Sequence, residues 1–218
     1  MKKLLIFLIM AIPFSSYSQE SDLGNWLLYF GNMKIKNDWN WHNEVQYRNY
    51  NAIGDLEQLL IRTGIGYNLT ENNNNVLLGY GYILSQNYME DSDDKVNINE
   101  HRIFQQFITR QNIGIVAVQH RYRFEQRFIE SDFRMRFRYF LSINIPLNNK
   151  DMIDHTVYFS AYNEIFLNTS GNTFDRNRLY GGIGYRFSKT TRLEIGYMNQ
   201  FLPNTNRDQI NIVSFINF

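Results

Sequence analysis

Residues 115–145 read IVAVQHRYRFEQRFIESDFRMRFRYFLSINI, and they sort their side chains by parity. Gln119, Arg121, Arg123, Glu125 and Arg127 alternate with Val118, His120, Tyr122, Phe124 and Phe128, so a β-strand carries ions on one face and rings on the other. After a turn expected at Glu130 to Asp132 the pattern resumes. Arg134, Arg136 and Arg138 then alternate with Phe133, Met135, Phe137, Tyr139 and Leu141, followed by Ile143 and Ile145. A soluble sandwich or lipocalin-like binding barrel would turn the rings inward and the arginines to water. A transmembrane barrel inverts this, with rings to lipid and arginines to a polar lumen.

Working outward, the N-terminus supplies the compartment. Met1 to Ser18 carries Lys2 and Lys3, an apolar stretch from Leu4 to Phe14 and the small-residue pattern Ser16-Tyr17-Ser18, which reads as a signal peptide. The expected organisation is a signal at 1–18 and an outer-membrane barrel at 19–218 of a Gram-negative bacterium. No later window reaches the apolar length of a spanning helix, so any insertion must use strands. There is no cysteine, which excludes a disulfide framework and a lipid-modified cysteine. Without Lys2 and Lys3 the 22 basic residues become 20 against 21 acids, a net charge near −1 that gives no case for nucleic-acid binding. The 15 Tyr, 17 Phe and 3 Trp suit aromatic girdles at two interfaces.

Period-two alternation between turn signals gives runs near 24–34, 38–50, 57–69, 75–88, 98–110, 114–130, 132–146, 154–168, 175–187, 191–201 and 208–218. Short polar turns are expected at Lys36-Asn37-Asp38, Thr70 to Asn75, Gln111-Asn112, Asn148 to Asp151 and Ser188 to Thr190. Longer connections are expected at Asn51 to Asp55, Met89 to Val96, Asn168 to Phe174 and Pro203 to Asp208. In a bacterial barrel the short set lies in the periplasm and the long set outside. An odd count would start the chain outside, and single-chain bacterial barrels have even numbers. The expectation is therefore an all-β, antiparallel up-and-down transmembrane barrel of ten or twelve strands, twelve preferred.

Leu23-Gly24-Asn25-Trp26, Glu44-Val45-Gln46-Tyr47-Arg48, Asn99 to Gln106, Tyr162-Asn163-Glu164-Ile165-Phe166 and the terminal Phe218 resemble an uncharacterised family of outer-membrane β-barrels. The family is found in Bacteroidota and is known only as a domain of unknown function. The resemblance implies fold and location and carries over no catalytic residue. A terminal strand closing on Phe218 likewise resembles the signal that the barrel-assembly machinery reads, which makes that machinery an expected partner beside outer-membrane lipids and lipopolysaccharide.

Inward parity collects Arg62, Arg102, Arg121, Arg123, Arg127, Arg134, Arg136, Arg138, Arg176, Arg178, Arg186 and Arg192 against Glu44, Glu100, Glu125, Glu164 and Glu194. Arginine stays charged, and its planar fork locks carboxylates bidentately, so a structural ladder filling a narrow lumen is one reading. The excess of arginine supports a second, a narrow passage for small anionic solutes. In it Arg121, Arg123, Arg134, Arg136, Arg138, Arg176 and Arg178 line the lumen or bind the anion, while Glu44, Glu100, Glu125, Glu164 and Glu194 are their ion-pair partners. A membrane-embedded hydrolase or acyltransferase is a third reading, because His42 and Glu44 share a face, but no serine or threonine is tied to them. No catalytic residue, cofactor or metal site is expected. The acidic run Glu90-Asp91-Ser92-Asp93-Asp94 lacks the glycine turn and terminal glutamate of a calcium loop and reads as a solvated outer loop.

Overall fold

The computed structural model describes residues 23–70, 73–90 and 92–218. The expected signal peptide and Asp91 of the acidic run lie outside the described residues. The chain forms β1 (Leu23–Lys36), β2 (Trp39–Asn49), β3 (Leu56–Thr70), β4 (Asn74–Tyr88), β5 (Lys95–Ile113) and β6 (Val116–Ile129). It continues with β7 (Asp132–Pro146), β8 (Thr156–Asn168), β9 (Phe174–Arg186), β10 (Thr191–Phe201) and β11 (Asn206–Asn217). Each strand pairs antiparallel with the next, and the sheet closes into one barrel.

The strand count corrects the expected ten or twelve to eleven. Every alternating run is a strand, and none is added or lost. Evenness is required only when the first and last strands meet antiparallel; with an odd number they run the same way and close on the slanted hydrogen bonds of a parallel ladder. Here β1 and β11 pair in parallel from Leu23 against Asp208 to Asn32 against Asn217. The backbone N–H of Phe218 donates to Asn32 O at 2.9 Å, which ties the chain terminus to this seam.

Two turns also differ from expectation. β5 runs through Gln111 and Asn112, and the chain reverses at Gly114, whose φ of +60° suits a residue without Cβ. The connection between Pro146 and Thr156 is the longest in the barrel, not a short turn. It nevertheless lies at the end expected to carry the short set. That end, called the Phe218 end, also carries the turns after β1, β3, β5 and β9. The opposite end, called the Leu23 end, carries those after β2, β4, β6, β8 and β10.

Parity sets the two faces as read. In β2, Trp39, Trp41, Val45 and Tyr47 are exposed outside, while Glu44, Gln46 and Arg48 are buried in the lumen. Outward rings stack across the β6–β7 ladder, Phe124 on Phe137 at 4.5 Å and Phe128 near Phe133 at 5.1 Å. The single closed sheet is not a two-layer sandwich. The lumen is filled partly because glycines yield space to rings from the next strand. A Cβ on Gly79 would stand 2.2 Å from Phe104 Cζ, and one on Gly184 would stand 2.2 Å from Tyr158 Cζ.

Candidate binding cavity

The lumen divides along its axis. Its Leu23-end half is packed solid by ion pairs. Glu125, with no exposed surface, accepts from Arg136 Nη2 at 2.7 Å and Arg138 Nη1 at 2.7 Å. At the border with the other half, Glu164 accepts from Arg138 Nη2 at 2.6 Å and Arg121 Nη2 at 2.8 Å. Glu100 holds Arg127 by two bonds of 2.6 and 3.0 Å, and also holds Arg102. Arg136 reaches Asp175 at 2.5 Å, and Arg176 reaches the same carboxylate at 3.1 Å. Phe166 is buried among these guanidinium groups, with Arg138 and Arg178 at 4.4 and 4.7 Å from its ring centre. Buried charges are tolerated only when so paired and hydrogen-bonded.

The other half is a cavity of about 830 Å³ that reaches the Phe218 end at Asn73, Met152 and Asn217. Its walls carry nine arginines and only three glutamates, Glu44, Glu164 and Glu194. Three buried arginines among these are held by glutamine in place of a carboxylate, and exposed Arg110 is held likewise, donating to Gln119 at 2.9 Å. Arg48 donates to Gln46 (3.1 and 2.5 Å) and to Gln58 (2.7 Å). Arg123 donates Nε and Nη2 to Gln106 at 2.9 and 2.6 Å, while its Nη1 has no hydrogen-bond partner and stands 3.7 Å from Glu125. Arg178 donates Nε to Gln200 at 2.9 Å and keeps 3.9 Å from Glu164. An amide oxygen satisfies an N–H but cancels no charge, so these three guanidinium groups leave net positive charge at the cavity floor. Rings cover their faces: Trp26 lies 3.8 Å from Arg48 and 4.8 Å from Arg178, and Phe104 lies 4.5 Å from Arg123.

The structure sorts the residues expected from sequence. Arg121, Arg123, Arg138 and Arg178 line the cavity. Arg136 is buried in the ion-paired half and does not line it. Arg176 belongs to the same half, held at its rim by Asp175. Arg134 has inward parity but sits next to the turn between β6 and β7, where its side chain is 58 % exposed beside Asp132. At a barrel rim parity no longer means burial. Glu44, Glu100, Glu125 and Glu164 are ion-pair partners of lumenal arginines. Glu194 is not: it accepts from the Tyr158 hydroxyl at 2.8 Å, and among the described residues it enters no ion pair.

His42 does face Glu44, at 3.3 Å, but no serine or threonine hydroxyl hydrogen-bonds to it among the described residues. Sequence reasoning passed over the glutamines, Arg48 and Asp175. Gln46, Gln58, Gln106 and Gln200 all fall on inward parity, and that was the available signal. It also passed over the apolar wall formed by Trp26, Leu28, Phe30, Val213 and Phe215, because β1 is apolar on both faces.

Fold and site define a closed β-barrel with apolar residues outside and an arginine-rich lumen that is packed at one end and hollow at the other. The chain belongs to the family described as Protein of unknown function (DUF2490), whose model matches residues 23–211. An uncharacterized protein of Methylorubrum extorquens is similar to it, 32% identical over 165 residues that cover 72% of this chain and 69% of the relative. No solved structure gives a significant match.

Proposed function

We propose that this protein is an outer-membrane β-barrel whose lumen is a one-ended cavity that binds small anionic solutes from the periplasmic side. The carrying observation is the set of glutamine-held arginines, Arg48, Arg123 and Arg178, on the floor of a cavity that nine arginines and three glutamates line. A scaffold would need these buried charges neutralised, and an incoming anion would neutralise them. The outward stripe of Leu78, Phe137 and Ile195, each more than half exposed, supports a hydrocarbon surround. Trp39 and Trp41, at the Phe218 end, suit the periplasmic interface. The ion-paired half favours capture over open conduction, because its carboxylates Glu100 and Glu125 are buried against their arginines, at most 4 % exposed. The signal at 1–18 and the terminal Phe218 fit delivery to the outer membrane by the assembly machinery.

Reconstitution into planar bilayers tests this reading, combined with outer-membrane fractionation and heat-dependent gel mobility. The protein is expected in the outer-membrane fraction, to shift with heating and to show no steady conductance. Acetate is expected to bind it saturably. A soluble protein, or one that passes ions freely, overturns the reading.

A further inference from the structure

The cavity has two unlike walls. The floor and one side carry the glutamine-held arginines. The opposite side, built by β1 and β11 at the parallel seam, is apolar: Trp26, Leu28, Phe30, Val213 and Phe215, with the Tyr162 ring packed against them, all line the cavity. Apolar side chains also reach the lumen elsewhere, among them Leu60, Leu77, Ile83, Phe104 and Phe166, but Trp26, Leu28 and Val213 with Phe30 and Phe215 form one connected apolar cluster that faces the cavity. It starts at the charged floor, where the Trp26 ring lies between Arg48 and Arg178, and ends at the Phe30–Phe215 stack with centroids 5.4 Å apart. From Trp26 to Phe30 the strip extends about 13 Å along the strand. Trp26 Nε1 is buried with no hydrogen-bond partner, a free donor where the two walls meet. The 830 Å³ volume exceeds what a simple inorganic anion or acetate fills and lies in the range of sites for ligands of drug size.

We infer that the ligand is an anionic amphiphile, with a carboxylate or similar head at Arg48, Arg123 and Arg178 and an apolar body lying along the Trp26–Phe30 and Val213–Phe215 strip. The inference rests on the anion-binding reading above and adds the chemistry of the ligand's other end. Apolar contact in a preformed pocket supplies affinity, and the guanidinium groups fix which end goes to the floor.

The test uses the full barrel in lipid nanodiscs, carrying Trp39→Phe and Trp41→Phe so that emission reports Trp26. Acetate, 4-phenylbutanoate and 4-phenylbutan-1-ol are titrated separately. The acid is expected to change Trp26 emission saturably and to bind at least about tenfold more tightly than acetate or the alcohol, a difference of roughly 1.4 kcal/mol. Leu28→Asn and Val213→Thr are expected to abolish the advantage over acetate while leaving acetate binding intact. Both variants are checked for a folded barrel by heat-dependent mobility, and Val213→Thr keeps the side-chain shape. If acetate binds as tightly as the acid, the amphiphile inference fails and the anion site stands. If the alcohol matches the acid, the arginines play no part in recognition and both readings fail. If neither anion binds, the proposed function itself fails.

Discussion

Arg123 and Arg138 sit directly opposite one another in the β6–β7 ladder, yet they are held in contrasting ways. Arg138 is clasped by two carboxylates, Glu125 and Glu164, at 2.7 and 2.6 Å. Arg123 is clasped by an amide, Gln106. Both are buried, and both carry the same charge. The difference teaches that a lumenal arginine takes its role from its partner: a carboxylate makes it structural filling, and a glutamine keeps it positioned but uncompensated. Both kinds line the cavity: Arg62, Arg121 and Arg138 are held there by Glu44 and Glu164, and Arg48, Arg123 and Arg178 by glutamine.

The largest effect is expected where the filling is most tightly connected. Glu125→Gln leaves Arg136 with Asp175 alone and Arg138 with Glu164 alone, next to Arg123, and should cost about 3–5 kcal/mol, read as a lowered denaturant midpoint of the refolded barrel. An unchanged midpoint would remove the distinction between the two sets. Gly184→Ala pushes a methyl group into the Tyr158 ring and should cost about 1–3 kcal/mol in the same assay.

Arg123→Gln sharpens the comparison from the other side. It removes an uncompensated buried charge, so stability should change by less than about 1 kcal/mol while acetate affinity falls roughly tenfold, as titration of Trp26 emission would show. Arg134→Ala, at the exposed rim, should stay within about 0.5 kcal/mol of the parent and bind acetate normally.

A separate effect, confined to alkaline pH, concerns the loop at the Leu23 end. Burial, reinforced by the neighbouring Glu57 carboxylate, pushes the Tyr50 hydroxyl up to about 12. Because an unfolded tyrosine ionises near 10 and the folded one holds its proton, stability should fall between about pH 10 and 12 and be indifferent to this group below. Alkaline unfolding of Tyr50→Phe, with a shallower loss over that interval, checks the sign.

Much of this was legible in the chain. The parity of Arg121, Arg123, Arg136 and Arg138 against Phe124 and Phe137 gave the faces, and the runs gave every strand, because period two is set by backbone geometry alone. Closure was not legible, since the β1–β11 pairing is a contact between chain ends that no local pattern encodes. Nor could alternation rank the inward residues by height. Arg134 and Arg136 are two residues apart, yet one is solvated beside Asp132 and the other is buried on Glu125. The partner that sets Arg178 apart from the carboxylate-held arginines, Gln200, comes from the adjacent strand and is fixed only by register.

The most direct measurement is a titration of acetate against Trp26 emission in the nanodisc-embedded barrel, comparing the parent with Arg123→Gln and with Glu100→Gln. Saturable binding that Arg123→Gln weakens about tenfold and Glu100→Gln leaves in place is the expected result, because Glu100 belongs to the filled half. Equal binding by all three, or none by the parent, would contradict the account.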